Sequence, residues 1–212
     1  MDALADEPDP HTSVTDPAAA LDAHVADSLS GLEVERVRIA RRIADLGAGA
    51  GFPGLVLAIA LPDTAVDLIE SARRKAAVID RLRQAAQATN ARSIVARAEE
   101  WARMPPAVGG GREAYDVVTA RAVGPLAVLV EYAAPLLRPT GVLVAWKGAR
   151  DAAEEQQGRR AAREVGLALE KVLRVQPFEG ARNRYLHVYC KVAPTSGRFP
   201  RRPGTAAKRP LG

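Results

Sequence analysis

The sequence predicts an α/β fold, a mostly parallel seven-stranded sheet with helices on both faces and a C-terminal antiparallel hairpin. Three observations predict it. Short apolar runs of strand length alternate with helix-forming segments from Ile43 to Gly166, and five such β-then-α units lay strands parallel and place helices on both faces. A glycine cluster, Gly47-Ala48-Gly49-Ala50-Gly51, stands where the first run meets its helix. The last two apolar runs, 169–178 and 184–192, are joined by Glu179-Gly180-Ala181-Arg182-Asn183, which permits a hairpin.

Each element has its own signal. Asp16 before Pro17 reads as an N-cap with proline at the first helical position. The helix runs through 18–29, with Leu21, Val25 and Leu29 at helical spacing. The stretch 37–47 ends in Ile43, Ala44 and Leu46, a strand entering a tight turn. Pro53 to Leu61 reads as a helix closed by Pro62-Asp63, 65–70 as a strand, and 72–89 as a long amphipathic helix. Residues 93–96 form the third strand, 105–114 a loop and 115–120 the fourth strand. A helix over 125–137 is expected to kink at Pro135. Arg138-Pro139-Thr140-Gly141 reads as a turn, 141–148 as the fifth strand, and 151–166 as a polar helix.

Composition narrows the function classes. The 212 residues are 48% hydrophobic and 26% charged, a globular mix with core enough for one domain, and at 4% aromatic that core must be aliphatic. The expected organisation is a mobile acidic N-terminus (1–16), a domain with an N-terminal helical extension (17–193) and a basic tail (194–212). No apolar run reaches the roughly 18 residues of a membrane span, and the acidic start lacks the features of a secretory signal. A cytoplasmic protein is expected. The single cysteine, Cys190, excludes an internal disulfide and reads as a packed strand residue; His11, His24 and His187 show no zinc spacing, and no metal is expected. Charge is uneven. Residues 1–35 hold nine acids and no Lys or Arg, residues 194–212 five bases and no acid, and the net charge is +5. The tail suits an anionic partner such as nucleic acid, or equally a solvated end.

The glycines carry the sharpest signal. Between a strand and a helix, they let a ligand approach the main chain. The dinucleotide pattern G-x-G-x-x-G fails, because Phe52 stands at its third glycine, and no G-K-[ST] of a phosphate loop follows. Asp45-x-Gly47-x-Gly49-x-Gly51 instead resembles the cofactor loop of class I S-adenosylmethionine-dependent methyltransferases. Asp45 and Glu70 suit a ligand with a cationic amine, a sulfonium and a ribose. Glu70 lies 23 residues after Gly47, near the interval at which an acid meets a ribose diol.

With more of the chain the resemblance becomes specific. Asp45 to Gly54 is similar to the signature of the bacterial 16S rRNA guanine-N7 methyltransferases, known as glucose-inhibited division protein B. His24-Val25-Ala26-Asp27-Ser28-Leu29, Arg97-Ala98-Glu99, Thr119-Ala120-Arg121-Ala122, Trp146-Lys147-Gly148 and the tail from Phe199 to Leu211 resemble its other segments, in order. The stretch before His24 is shorter and more acidic than in that family, Glu70 stands where an aspartate is commoner, and the 105–114 loop is longer. The resemblance implies a Rossmann-like class I methyltransferase fold, S-adenosyl-L-methionine as cofactor, and 16S rRNA or the small ribosomal subunit as partner of a monomeric enzyme. It implies that Gly47, Gly49 and Phe52 line the cofactor pocket. Glu70 and Ser71 would meet the ribose, Ala98 and Glu99 the adenine, and Arg121 the cofactor's edge.

Guanine N7 already carries a lone pair, so no catalytic acid or base is expected, and positioning and water exclusion would do most of the work. Arg121 and Lys147 are candidates for orienting the base or its phosphates. Arg182, Arg184, Arg198, Arg201, Arg202, Lys208 and Arg209 are candidates for a basic edge toward RNA. Two other readings stand beside this one: a methyltransferase for a small-molecule or protein substrate, and a non-enzymatic ribosome-binding module.

Overall fold

The computed structural model describes residues 16–212 together with Leu4, Glu7 and Val14. Most of the acidic stretch expected to be mobile, His11 included, lies outside the described residues. Among the described residues no helix is long and apolar enough to cross a membrane.

The chain begins its described course with helix α1 (Pro17–Ala20), where the Asp16 carboxylate accepts from the amide of Ala19 at 2.7 Å as the sequence predicts. A π-helical stretch (Leu21–Ala26), α2 (Asp27–Leu29), a 3-10 turn (Ser30–Glu33) and α3 (Glu35–Arg38) continue it. The alternation then unfolds as β1 (Arg42–Leu46), α4 (Gly54–Ala60), β2 (Ala65–Glu70), α5 (Arg73–Ala85), β3 (Ala91–Val95), α6 (Ala98–Trp101), a 3-10 turn (Pro106–Val108), β4 (Tyr115–Arg121), α7 (Leu126–Ala133), β5 (Leu137–Lys147), α8 (Ala152–Val165), β6 (Leu167–Arg174), β7 (Tyr185–Lys191) and α9 (Thr205–Lys208).

The seven strands lie in the order β3-β2-β1-β4-β5-β7-β6. The first five are parallel, and β7 runs antiparallel between β5 and β6. Strand side chains alternate between two cores. Ile43, Leu68, Val117 and Val144 point into one, with Leu57 and Ile79 from α4 and α5. Ala44, Ile69, Val118 and Leu143 point into the other, with Leu129 from α7 and Ala161 from α8. Both faces of the central strands are therefore dry, which is why they read as continuous apolar runs. Between β1 and β4 the connections leave in opposite directions along the sheet, and the loops beyond their carboxyl ends part to leave a crevice.

One stretch departs from the sequence reading. The helix expected over 125–137 ends at Ala133, and the expected turn at 138–141 lies inside β5. Pro135 has no amide to continue the helix. Beyond it Leu137 pairs with Tyr115, and the Arg138 guanidinium meets the Asp116 carboxylate at 2.5 Å. The extra residues are taken up by a bulge, where the register jumps from Leu137 to Val142 and Thr140 adopts φ +65°.

The basic segment 194–212 packs on the β4–α7 side. Phe199 is 2% exposed and joins the second core. Arg103 and Arg112 donate to the carbonyls of Pro200 and Phe199, each at 3.0 Å. Cys190 is half-buried against the first core, with its sulfur 3.2 Å from Nη1 of Arg36.

Candidate active site

The crevice is built from the ends of β1, β2, β3 and β4. After Leu46 the chain needs three left-handed residues, Gly47 (φ +61°), Gly49 (+59°) and Gly51 (+93°), to double back into α4. Asp45 holds this bend from beneath. Its Oδ1 accepts from Thr119 Oγ1 at 2.7 Å and its Oδ2 from the Gly54 amide at 2.9 Å. Burial pushes the carboxyl up to about 6, against both of these hydrogen bonds. Asp45 is fully buried, and it shapes the loop rather than facing a ligand. Gly54 is needed at the helix start, since a Cβ there would lie 2.4 Å from Leu68 Cδ2 and 2.6 Å from Asp45 Cβ.

A cleft opens on the α7 side of this bend. Gly47, Ser71, Ala98 and Glu99 line it together, with Val123 and Tyr132. Glu70 stands at its back. Its carboxylate accepts from the Gly49 amide at 3.2 Å and the Ala72 amide at 2.8 Å. Neither Gly49, whose amide Glu70 takes, nor Glu70 itself is among the residues that line the cleft. Glu99 is 4% exposed, and its Oε1 accepts from the Gly204 amide at 2.8 Å. Burial first, and then the Glu99 carboxylate, push the Tyr132 phenol up to about 12. A purine fits this chemistry: apolar walls from Ile69 and Val123, the Gly47 backbone at close range, and the Glu99 carboxylate in the lining.

Phe52 and Arg121 stand apart from this cleft. The Phe52 ring stacks on His24, with centroids 4.6 Å apart and planes 13° apart. The Arg121 guanidinium lies 5.6 Å over the Phe52 ring, and donates at 2.9 Å to both Asp27 Oδ2 and the Ala23 carbonyl. Burial, then the Arg121 charge, lower the His24 pKa, so its ring is neutral at pH 7. Arg121 opens a second pocket, shared with His24, Asp27, Lys147, Arg184 and Tyr185. Lys147 is held by Glu154 at 2.7 Å, and Arg184 Nε lies 3.5 Å from Asp27 Oδ1, a buried oxygen with no hydrogen bond. The turn 121–124 is the partition: Val123 walls the first cleft, while Arg121, Ala122 and Gly124 line the second.

Sequence reasoning quoted His24 and Asp27 as a motif but gave them no role; their four-residue helical neighbourhood and the distant Arg121 make one cluster. Tyr132, inside an apolar helix, carried no signal, and Gly204 stood out only as part of the resembling tail segment, without a role. Arg201, counted among the bases of that edge, is instead bound to Glu131, with Nε–Oε1 at 2.8 Å and Nη2–Oε2 at 2.5 Å.

Known proteins resemble this chain in sequence and in fold. Residues 11–183 match the model of the family described as rRNA small subunit methyltransferase G. Two similar relatives, both named ribosomal RNA small subunit methyltransferase G, come from Rubrobacter xylanophilus and Roseiflexus castenholzii. The first is 42% identical over 92% of this chain and 75% of its own length. The second is 41% identical over 94% of this chain and 83% of its own. Among solved structures, an S-adenosylmethionine-dependent O-methyltransferase from Thermotoga maritima superposes with a TM-score of 0.61 at 16% identity, covering 87% of this chain and 69% of that one. A mitomycin 7-O-methyltransferase gives 0.63 at 14% identity, over 79% and 53%. These last two speak for the fold.

Proposed function

Since this chain belongs to the rRNA small subunit methyltransferase G family, we propose that its reaction is transfer of a methyl group from S-adenosylmethionine to N7 of a guanine in 16S rRNA, on a monomeric enzyme in the cytoplasm. It is an S-adenosylmethionine-dependent methyltransferase with the Rossmann-like fold of class I. The observation that carries the substrate reading is the partition at 121–124. It sets the cleft that Gly47, Ser71 and Glu99 line directly beside a pocket lined by Arg121, Lys147 and Arg184.

The cofactor supplies an electrophilic methyl group on a sulfonium. The chain's residues bind and orient. In this reading Glu70 meets the ribose hydroxyls, with Ser71 beside it, and Glu99 accepts from the adenine amine, with Ala98 against the ring. The Gly47 and Gly49 backbone closes on the ligand. Arg121 is fixed by Asp27 and the Ala23 carbonyl, so it presents a set charge at the boundary of the two pockets. These residues would hold the methyl carbon in line with the guanine N7 lone pair, which would form the new bond as the C–S bond breaks toward sulfur. No proton moves in this step, so no general acid or base is assigned. Holding the two reactants in line can contribute roughly 7–11 kcal/mol. Phe52 lines an apolar pocket with Leu55, Val56 and Ile59, and its ring supports His24 and Arg121 from that side.

The test is direct. The purified protein, small ribosomal subunits from a strain lacking the gene, and labelled S-adenosylmethionine are combined. One new N7-methylguanine in 16S rRNA, found by alkaline cleavage mapping, is the expected result. Label in ribosomal protein, or none in RNA, would overturn the reading.

A further inference from the structure

The C-terminal segment touches the cofactor cleft from outside, and nothing in the reaction above uses it. Its contact is specific. The Gly204 amide donates to Glu99 Oε1 at 2.8 Å, and Glu99 is 4% exposed. The segment is held in that position by a half-buried charge pair. Arg201 forks onto Glu131, which is 1% exposed, and also donates to the Arg209 carbonyl at 2.8 Å, closing the segment on itself. Phe199 and Ala206 anchor its two ends in the core. On the other side of the same residues Arg198, Arg202, Lys208 and Arg209 face solvent.

We propose that residues 199–206 form an outer wall of the cofactor site, with Arg201 as the positioning residue that holds the Gly204 amide on Glu99, and that RNA phosphates on the exposed bases of this segment tighten cofactor binding. The proposal rests on the reading of Glu99 as the adenine acceptor. A carboxylate can turn in its plane. With one oxygen pinned by a backbone amide and a tyrosine hydroxyl beside it, the other is left to receive an amine donor at a fixed angle. That arrangement favours adenine, whose 6-position donates, over hypoxanthine, whose 6-position is an acceptor and faces the carboxylate unpaired. Phosphates that immobilise the segment shift it toward the conformation in which Glu99 is pinned. By linkage, the cofactor must then strengthen RNA binding by the same factor.

Calorimetry on the full chain tests both arms, with S-adenosylhomocysteine and S-inosylhomocysteine as probes and a small-subunit rRNA fragment present or absent. The wild type is expected to prefer the adenine form by at least about tenfold, the value of one charge-assisted hydrogen bond. Arg201→Ala is expected to narrow that preference to within about threefold. Arg201→Lys keeps a charge on Glu131 but loses the fork, and should fall between; it serves if the alanine variant does not fold. RNA should tighten S-adenosylhomocysteine about threefold in the wild type and not in the Arg202→Ala/Lys208→Ala/Arg209→Ala variant. An unchanged adenine preference in folded Arg201 variants overturns the positioning role, and equal RNA enhancement in the triple variant overturns the coupling. A wild type that binds neither probe would instead sink the cofactor reading beneath both.

Discussion

Asp45 shows how a single buried carboxyl makes the site depend on pH. Its folded pKa is pushed up to about 6 from an ordinary 3.8. Between those values the folded chain holds a proton that the unfolded chain has released. The unfolded state binds fewer protons, so stability falls as pH rises from about 3.8 to about 6, by roughly 3 kcal/mol, and is level above. Asp45→Asn keeps an acceptor for the Gly54 amide and should flatten this slope, as urea midpoints at pH 4.5 and pH 7.5 would report. Arg121 gives a second prediction at this scale. Removing it leaves the buried Asp27 carboxylate with only Arg184 near, so Arg121→Met is expected to cost about 3 kcal/mol and most of the methylation rate. Arg121→Met with Asp27→Asn should cost less than the sum, in a double-mutant cycle by denaturation. Sequence alone exposed Asp45 and Glu70, because acids at strand ends and in glycine loops are conspicuous; Glu99, in the first turn of a helix, stood out only through the family resemblance. The sequence put Phe52 at the cofactor pocket and could not show its contacts with His24 and Arg121, which lie 28 and 69 residues away along the chain.

Elements were legible where their signals were local. The alternation of β1, α4, β2 and α5 follows from apolar runs, prolines and strong helix formers, and 65–70 is the strand that the sequence predicts. The α7–β5 boundary was not, because a strand that starts at Leu137 is set by pairing with Tyr115 and by the Arg138–Asp116 contact, neither visible from 134–141 itself. The α4 start offers the prediction that belongs here. Gly54→Ala would press a methyl against Leu68 and Asp45, and overpacking of this kind costs about 1–3 kcal/mol. The melting temperature should fall by roughly 2–4 °C per kcal/mol. Because the same contact carries the bend from Gly47 to Gly51, S-adenosylhomocysteine affinity measured by calorimetry should fall with it.

Across the whole molecule the net +5 is distributed with purpose, acidic at the start and basic at the end. If the exposed bases of the last segment meet phosphates, the logarithm of RNA affinity should fall linearly with that of salt, and Arg202→Ala, Lys208→Ala and Arg209→Ala should each reduce the slope by up to about 0.9. Filter binding between 50 and 200 mM salt would measure it. The seven-stranded order was readable only in part, since nothing in the last two runs says that the later one lies inside the sheet. That placement of β7 between β5 and β6 bears on the protein's birth. While a ribosome is still making residues 148–184, β5 has no partner on that side, and its bare amides and carbonyls stand ready to pair with any neighbouring nascent strand. A chain arrested before Tyr185 should therefore be cut readily by protease and recruit chaperones, and one arrested only after Phe199 has emerged should resist.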